Sequence, residues 1–375
     1  MEEKKFDVAI IGAGIVGLAL AYQAAKKGNR VAIFERNPRA VGASIRNFGL
    51  IWPIGQPSGS LLERALRTRE IWKEIASESS IWLNENGSLQ LAYHEDEWDL
   101  IQSFSRTAES NGYKTRLLSP NEVINYSGAV RTDGLLGAMY SETECTVTSV
   151  DAIAQLAHFL EKKYNVQFYF GTTITHLDVG VLTDFYETWS ADRIYVCSGA
   201  DFETLYPQLF IESGITKCKL QMMRTVVQPN GWKLGPSLSA GLTLLHYGSF
   251  GEFSEQQKQI RERYDATNSL FSAYGIHVLV SQNAYGEIIL GDSHEYGWDV
   301  SPFDKEEINQ LILQYMNTFA KLKSDIIGTT WHGIYPKLQG KTEFIQEVQK
   351  DIWVVNGLSG AGMTLSFGLA EHVIK

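Results

Sequence analysis

Residues 6–11 (FDVAII) form a short apolar run of largely β-branched character that ends at Gly12. Beyond it, Ile15, Leu18, Ala19, Tyr22 and Ala25 recur at helical spacing, and Lys26, Lys27 and Gly28 close that pattern with two cations and a glycine. Residues 30–35 (RVAIFE) read as a second buried strand, so the chain opens with a strand–helix–strand unit. Farther along, 150–164 has the apolar stripe of an amphipathic helix opened by Ser149 or Asp151. A strand over 166–170, a hairpin-like stretch up to Trp189 and a strand over 193–197 follow, closed by Ser198, Gly199 and Ala200.

The middle of the chain has a different texture. The segments MMRTVVQP, GLTLLHYGSF, IHVLVSQ and EIILGDS between residues 222 and 293 are β-type, which predicts an antiparallel sheet with His246 and Tyr247 in one of its strands. A helix is expected over 305–321. A last strand over 352–355 breaks at Asn356–Gly357, and a helix begins after Gly362. The predicted fold is α/β (α+β overall): a Rossmann-like domain assembled from 1–85, 145–215 and 325–375, with a substrate domain inserted as 86–144 and 216–324. A length of 375 residues suits about two domains.

Composition narrows the function classes. Lys and Arg number 33 against 43 Asp and Glu, a net charge of −10, which disfavours a nucleic-acid partner. Cys145, Cys197 and Cys218 include no CxxC pair, and so sparse a set suits a reducing compartment. The N-terminal residues lack the basic and long apolar stretches of a signal peptide, and no apolar run approaches the ~18 residues of a membrane span. A soluble, cytoplasmic protein is expected. The eight histidines are scattered without an HExxH pair, so no metal is expected.

The chemistry begins at Gly12–Ala13–Gly14–Ile15–Val16–Gly17, a GxGxxG that follows a strand and opens a helix. Its glycines permit a tight turn, close approach of a pyrophosphate and close helix–strand packing, while the helix N-terminus offers free N–H groups to phosphate. Glu35 ends the next strand, where a carboxylate accepts ribose hydroxyls, and Arg36 follows it. The acidic residue disfavours NADP, but the motif alone does not separate NAD from FAD.

Other segments do. Val41 to Gly49 (VGASIRNFG) and Asn356 to Thr364 (NGLSGAGMT) resemble the D-amino-acid oxidase, glycine oxidase and sarcosine oxidase family of FAD enzymes. Tyr195–Val196–Cys197–Ser198–Gly199–Ala200, Gln221–Met222–Met223–Arg224, Ile289–Leu290–Gly291–Asp292 and Trp331–His332–Gly333–Ile334–Tyr335–Pro336 extend the resemblance in family order. It implies FAD contacts from Gly12, Gly14, Ile15, Val16, Gly17, Glu35, Arg36, Ala43, Ser44, Asn47, Phe48, Gly49, Ile174, Ser198, Gly199, Gly333, Gly360, Ala361, Gly362, Met363 and Thr364. It also implies a helix near Gly362 whose N-terminus faces the flavin carbonyl on which charge develops.

Departures from the family bear on the substrate. Where glycine and D-amino-acid oxidases carry a carboxylate-forking arginine, this chain has Tyr335. Sarcosine oxidases have a flavin-linking cysteine where Gly333 stands here, so FAD is expected to be non-covalent, and they use a lysine where Thr364 stands. Both familiar carboxylate clamps are absent. Arg46, Arg224, His246, Tyr247, His332, Tyr335 and Lys337 are the candidates to line the pocket instead.

Short stretches at 221–225 and 241–247 are also similar to a phosphonate-associated subgroup that acts on N-alkylated aminoethylphosphonates. The expected activity is therefore oxidation of a small, secondary amine to an imine, followed by hydrolysis, with oxygen or another acceptor reoxidising the flavin. Glycine- or sarcosine-type amino-acid oxidation, a 2-hydroxy-acid dehydrogenase using His332 or His246 as base, a non-catalytic flavoprotein and an NAD(P)H-using hydroxylase are the alternatives. No lysine stands in the segment 286–289, which leaves a dehydrogenase open.

Overall fold

The computed structural model describes residues 5–375. Its first sheet is built from strands β1 (Lys5–Ile11) and β2 (Val31–Glu35), joined by helix α1 (Ile15–Lys26), and from segments far away in the chain. Helix α2 (Ser60–Glu78) and helix α3 (Ser149–Tyr164) precede β3 (Gln167–Phe170) and β4 (Thr188–Val196). Neighbouring strands run β3–β2–β1–β4, all parallel, and the C-terminal strand Ile352–Asn356 pairs in parallel with the far side of β4. These strands are nearly continuous apolar runs because both faces are covered, as parallel sheets require. Ile10, Leu18, Trp72, Leu156 and Phe367 belong to the buried cluster between this sheet and its helices.

The second sheet has nine strands. Toward one edge of it lie β5 (Thr216–Thr225), β6 (Leu279–Gln282), β7 (Ile288–Gly291), β8 (Glu295–Gly297) and the long β9 (Ile327–Lys337). β5 pairs antiparallel with β7 and β8 on one side and with β9 on the other. Helix α4 (Glu306–Phe319) covers one face. β10 (Ile352–Asn356) returns the chain to the first sheet, and α5 (Gly362–Val373) ends it against α1 and α2. The chain thus crosses between the sheets several times, and β9, inside the segment 325–375, is hydrogen-bonded into the second sheet.

Two expectations fail locally. The stretch 241–250 is not a strand but two short 3₁₀ turns, Gly241–Leu245 and Gly248–Phe253. A brief apolar run has no period that separates strand from helix. Here two glycines decide: a methyl group at Gly241 would overlap the Glu97 carboxylate, and one at Gly248 would press on the Pro57 ring at 3.0 Å. Helix Ser254–Asn268 also goes unpredicted, because Ile260 is its one fully buried residue and no apolar stripe marks it.

Candidate active site

The turn after β1 is fixed by steric contact. Gly12 has φ +107°, and a methyl group there would overlap the Cys197 carbonyl oxygen, while one at Gly17 would overlap the carbonyl of Gly12. The exposed donors of α1 are therefore brought against the C-terminal ends of β1 and β4. Ile15 N–H donates to Ser44 Oγ at 2.9 Å. Glu35 is buried, its Oε2 accepting Ala13 N–H at 3.0 Å and its Oε1 accepting the backbone and side-chain N–H groups of Asn37. Arg36 pairs with Asp201 at 2.7 Å. Ile174 is buried in the loop after β3, where Thr172 N–H bonds the Glu35 carbonyl.

The segment after β2 is equally constrained. Asn47 donates to the carbonyls of Ala43 and Ser44 and accepts from Gly49 N–H. Gly49 has φ +74°, and a side chain there would overlap the Val147 carbonyl. Ala43 and Phe48 pack against one face of the second sheet, together with Cys218, Leu220, Met222, Ile289, Trp331 and Tyr335.

Register decides which residues share that face. Cys218 is paired with Tyr335, Leu220 with Gly333 and Met222 with Trp331, so these alternate positions point one way. Lys337, opposite Thr216, belongs to the same set. His332 does not. It lies opposite Gln221 on the other face, where its Nδ1 meets Asp304 at 2.9 Å, and Asp304 also pairs with the buried Lys219. Its sequence-based placement at the ring is corrected by strand parity. Arg224 keeps to the inner face, but it pairs with Glu287 at 3.2 Å. Arg46 is held at the edge, donating to the His332 carbonyl at 3.2 Å while its own carbonyl accepts from Trp331 Nε1.

The C-terminal glycine segment closes the same space. A methyl group on Gly360 would lie 3.7 Å from the Tyr335 ring. Thr364 Oγ1 accepts Trp52 N–H at 2.9 Å, and the Met363 carbonyl accepts Trp72 Nε1–H at 3.0 Å. Trp52 in turn lies 6.1 Å from the Tyr247 ring, which links the C-terminal helix to the 241–250 turns.

Three of the eight histidines come together there. His246 and His277 stack with ring centres 3.8 Å apart, and His294 lies 4.7 and 5.2 Å from them. His277 Nε2 is 3.0 Å from Asp292 Oδ1, and His294 Nδ1 is 2.9 Å from the Gly275 carbonyl. Burial holds His277 and His294 below their ordinary range, His294 down to about 4, and His246, although one edge reaches solvent, is lowered by its packing against the other rings, by His294 and by the Lys337 cation. Burial raises Asp292 well above the usual carboxylate range and keeps Tyr247 and Tyr335 protonated. The ring nitrogens that His246, His277 and His294 offer as ligand atoms all lie within 4.8 Å of one another. No sequence pattern could have found this cluster, because His246, His277 and His294 have no common spacing. It corrects the reading of the histidines as scattered.

A family model for FAD dependent oxidoreductases matches residues 7–375. The chain belongs to that family. It is 31% identical over 162 residues to a glycine oxidase of Geobacillus kaustophilus, covering 41% of this chain and 43% of that enzyme. The aligned stretch spans less than half the length of the curated relatives it matches. In fold, the chain resembles the crystal structure of that glycine oxidase with a TM-score of 0.76 at 20% identity, over 98% of this chain and 94% of that one. It resembles the L-α-glycerophosphate oxidase of Mycoplasma pneumoniae with FAD bound equally well, with a TM-score of 0.76 at 16% identity, over all of this chain and 94% of that one. Among the described residues no helix is long and apolar enough to cross a membrane.

The residues present fit FAD. Ser198 Oγ and Ser359 Oγ are buried without a partner at the two loops that flank β4 and α5, as polar atoms awaiting a ligand would be. Gly12, Gly14 and Gly17 would leave room for the pyrophosphate, and Glu35, held by Ala13 and Asn37, would meet the ribose. Bound FAD supplies a ring that accepts a hydride from a C–H beside nitrogen or oxygen. Gly333 brings no sulfur to that ring. Cys218 does lie on the inner face, but burial pushes its thiol up to about 12 and away from the reactive thiolate.

Proposed function

We propose that this protein oxidises a small amine bearing an anionic group, with FAD held non-covalently. The observation that carries the reading is the lining of the inner face: Tyr335, Lys337 and the imidazoles of His246, His277 and His294 are available to an anion, whereas Arg224 is engaged by Glu287 and Arg46 by a carbonyl. A neutral amine needs orientation above the ring more than it needs a catalytic base. The chain's task is then to hold the anionic end and keep water out. Partial identity to a glycine oxidase supports the amine class. An N-alkylated aminophosphonate is the finer form of the proposal, since dispersed donors suit a tetrahedral dianion better than a planar fork does.

The test is anaerobic bleaching of the flavin by sarcosine, glycine, N-methyl-2-aminoethylphosphonate and glycerol 3-phosphate. Bleaching by an amine carries the proposal, and the phosphonate arm decides the finer form. Bleaching by glycerol 3-phosphate alone would favour a second reading, oxidation of C–OH with a histidine taking the hydroxyl proton. That reading draws on the fold likeness to a glycerophosphate oxidase and on His246, which solvent reaches.

A further inference from the structure

His246, His277 and His294 converge from three separate pieces of chain: the end of the 3₁₀ turn Gly241–Leu245, the approach to β6 and the link between β7 and β8. One ring nitrogen from each lies within 4.8 Å of the other two. Buried polar atoms normally find partners, yet both nitrogens of His277 and Oδ1 of Asp292 are buried without one. His277 Nε2 and that oxygen are 3.0 Å apart but out of line for a hydrogen bond. Packing of the rings alone leaves the cost of stripping water from these atoms unanswered. We propose that the three imidazoles form a site for a divalent transition metal of the zinc type, with a fourth position left to water. The inference goes beyond the amine reading, whose chemistry needs no metal.

Imidazoles on one tetrahedral zinc bond it at about 2.0–2.1 Å, which sets their ring centres about 5 Å apart. His294 lies at 4.7 and 5.2 Å from the other two rings, already at that spacing. Only the His246–His277 stack, at 3.8 Å, is tighter. His246 is exposed, so its ring can swing outward by about 1 Å to complete the geometry without disturbing the core. The second layer is in place as well. His294 Nδ1 lies 2.9 Å from the Gly275 carbonyl, which can only accept, so this ring donates from Nδ1 and carries its lone pair on Nε2. Asp292 stands beside His277 as the carboxylate that orients a ligating histidine from behind. Burial keeps His277 and His294 neutral, the form in which an imidazole binds a metal. An all-imidazole donor set suits zinc, copper or nickel, whereas magnesium and calcium take oxygen ligands. Imidazoles engaged by an ion leave Tyr335 and Lys337 of the inner face to the substrate, so the two readings are tested separately.

The test uses untagged, FAD-loaded protein, stripped with a chelator and titrated with zinc against a competing indicator dye. One zinc should bind per chain with a dissociation constant of about 1 μM or tighter, while magnesium at about 1 mM should not bind. X-ray absorption at the zinc edge should show imidazole nitrogens at about 2.0 Å. His246→Ala, at a position water already reaches, should weaken zinc at least about a hundredfold, since losing even an outer partner of a ligand costs about 10–100-fold. His277→Gln should do the same in protein whose full FAD content shows that it has folded. His158→Ala on the outer surface of α3 and His332→Ala on the far face of β9 should leave zinc uptake unchanged. Less than one zinc per chain at saturation, or magnesium bound as readily as zinc, overturns the proposal. So does uptake that survives His246→Ala, or uptake lost in His332→Ala, which would put the ion beside Asp304 instead.

Discussion

At the residue scale, Glu35 and Tyr335 separate cofactor binding from substrate binding. Glu35 is tied to Ala13 N–H and to Asn37, so its carboxylate shapes the first turn and would be held ready for the ribose. A hydrogen bond to a charged group is worth about 1.5–3 kcal/mol. Glu35→Gln should therefore weaken FAD about tenfold to a hundredfold, read by quenching of flavin fluorescence, and an unchanged affinity would remove Glu35 from the ribose site. Tyr335→Phe should behave in the opposite sense. FAD content should stay full while the KM of the bleaching substrate rises about tenfold, because one neutral donor is lost from the inner face.

At the element scale, one polar tie at the start of α5 and one just ahead of α4 can each be cut by a single substitution. Thr364 Oγ1 accepts Trp52 N–H, which pins the start of α5 to the segment before α2. Thr364→Val keeps the shape and orphans a buried N–H, at a cost of about 1–3 kcal/mol. Urea denaturation should register that loss, and a midpoint like that of the parent would mean the N–H finds another acceptor. On the other sheet, Lys219 is fully buried on β5 and its charge is answered by Asp304 at 2.9 Å, just ahead of α4. Removing one partner of a buried pair costs about 3–5 kcal/mol, and the partial exposure of Asp304 discounts this to about 2–3. Asp304→Ala should lower the urea midpoint accordingly while flavin reduction continues, since this network lies behind the sheet.

For the whole molecule, the histidine cluster sets a pH dependence. His246, His277 and His294 are neutral in the folded protein below the pH at which the unfolded chain protonates them, near the ordinary histidine value of about 6.5. The unfolded state thus binds more protons as pH falls below that value, and stability drops with it. Asp292 works the other way: it stays protonated when folded and ionises when unfolded above about 4, so it offsets one of the three. The net expectation is a urea midpoint that falls between pH 7 and pH 5. A midpoint flat over that interval would mean that the cluster is not buried in the neutral form.

The sequence by itself determined the two ends of the site. A strand, GxGxxG and a helix are local features, set by periodicity and by glycines that no other residue can replace, so Gly12, Gly17 and Glu35 were legible without a structure. So was the loss of the arginine and cysteine, since it needs only the identity of Tyr335 and Gly333. Tertiary structure decided the rest. Strand parity set by the pairing of β5 with β9 turned His332 away from the inner face and Lys337 toward it, and a one-residue shift in register would have reversed both. The turns at 241–250 hid as a strand because a short apolar run carries no period. His246, His277 and His294 meet only because three distant segments converge over one sheet face. Local pattern fixes what each segment is, whereas long-range pairing fixes which side chains share a space.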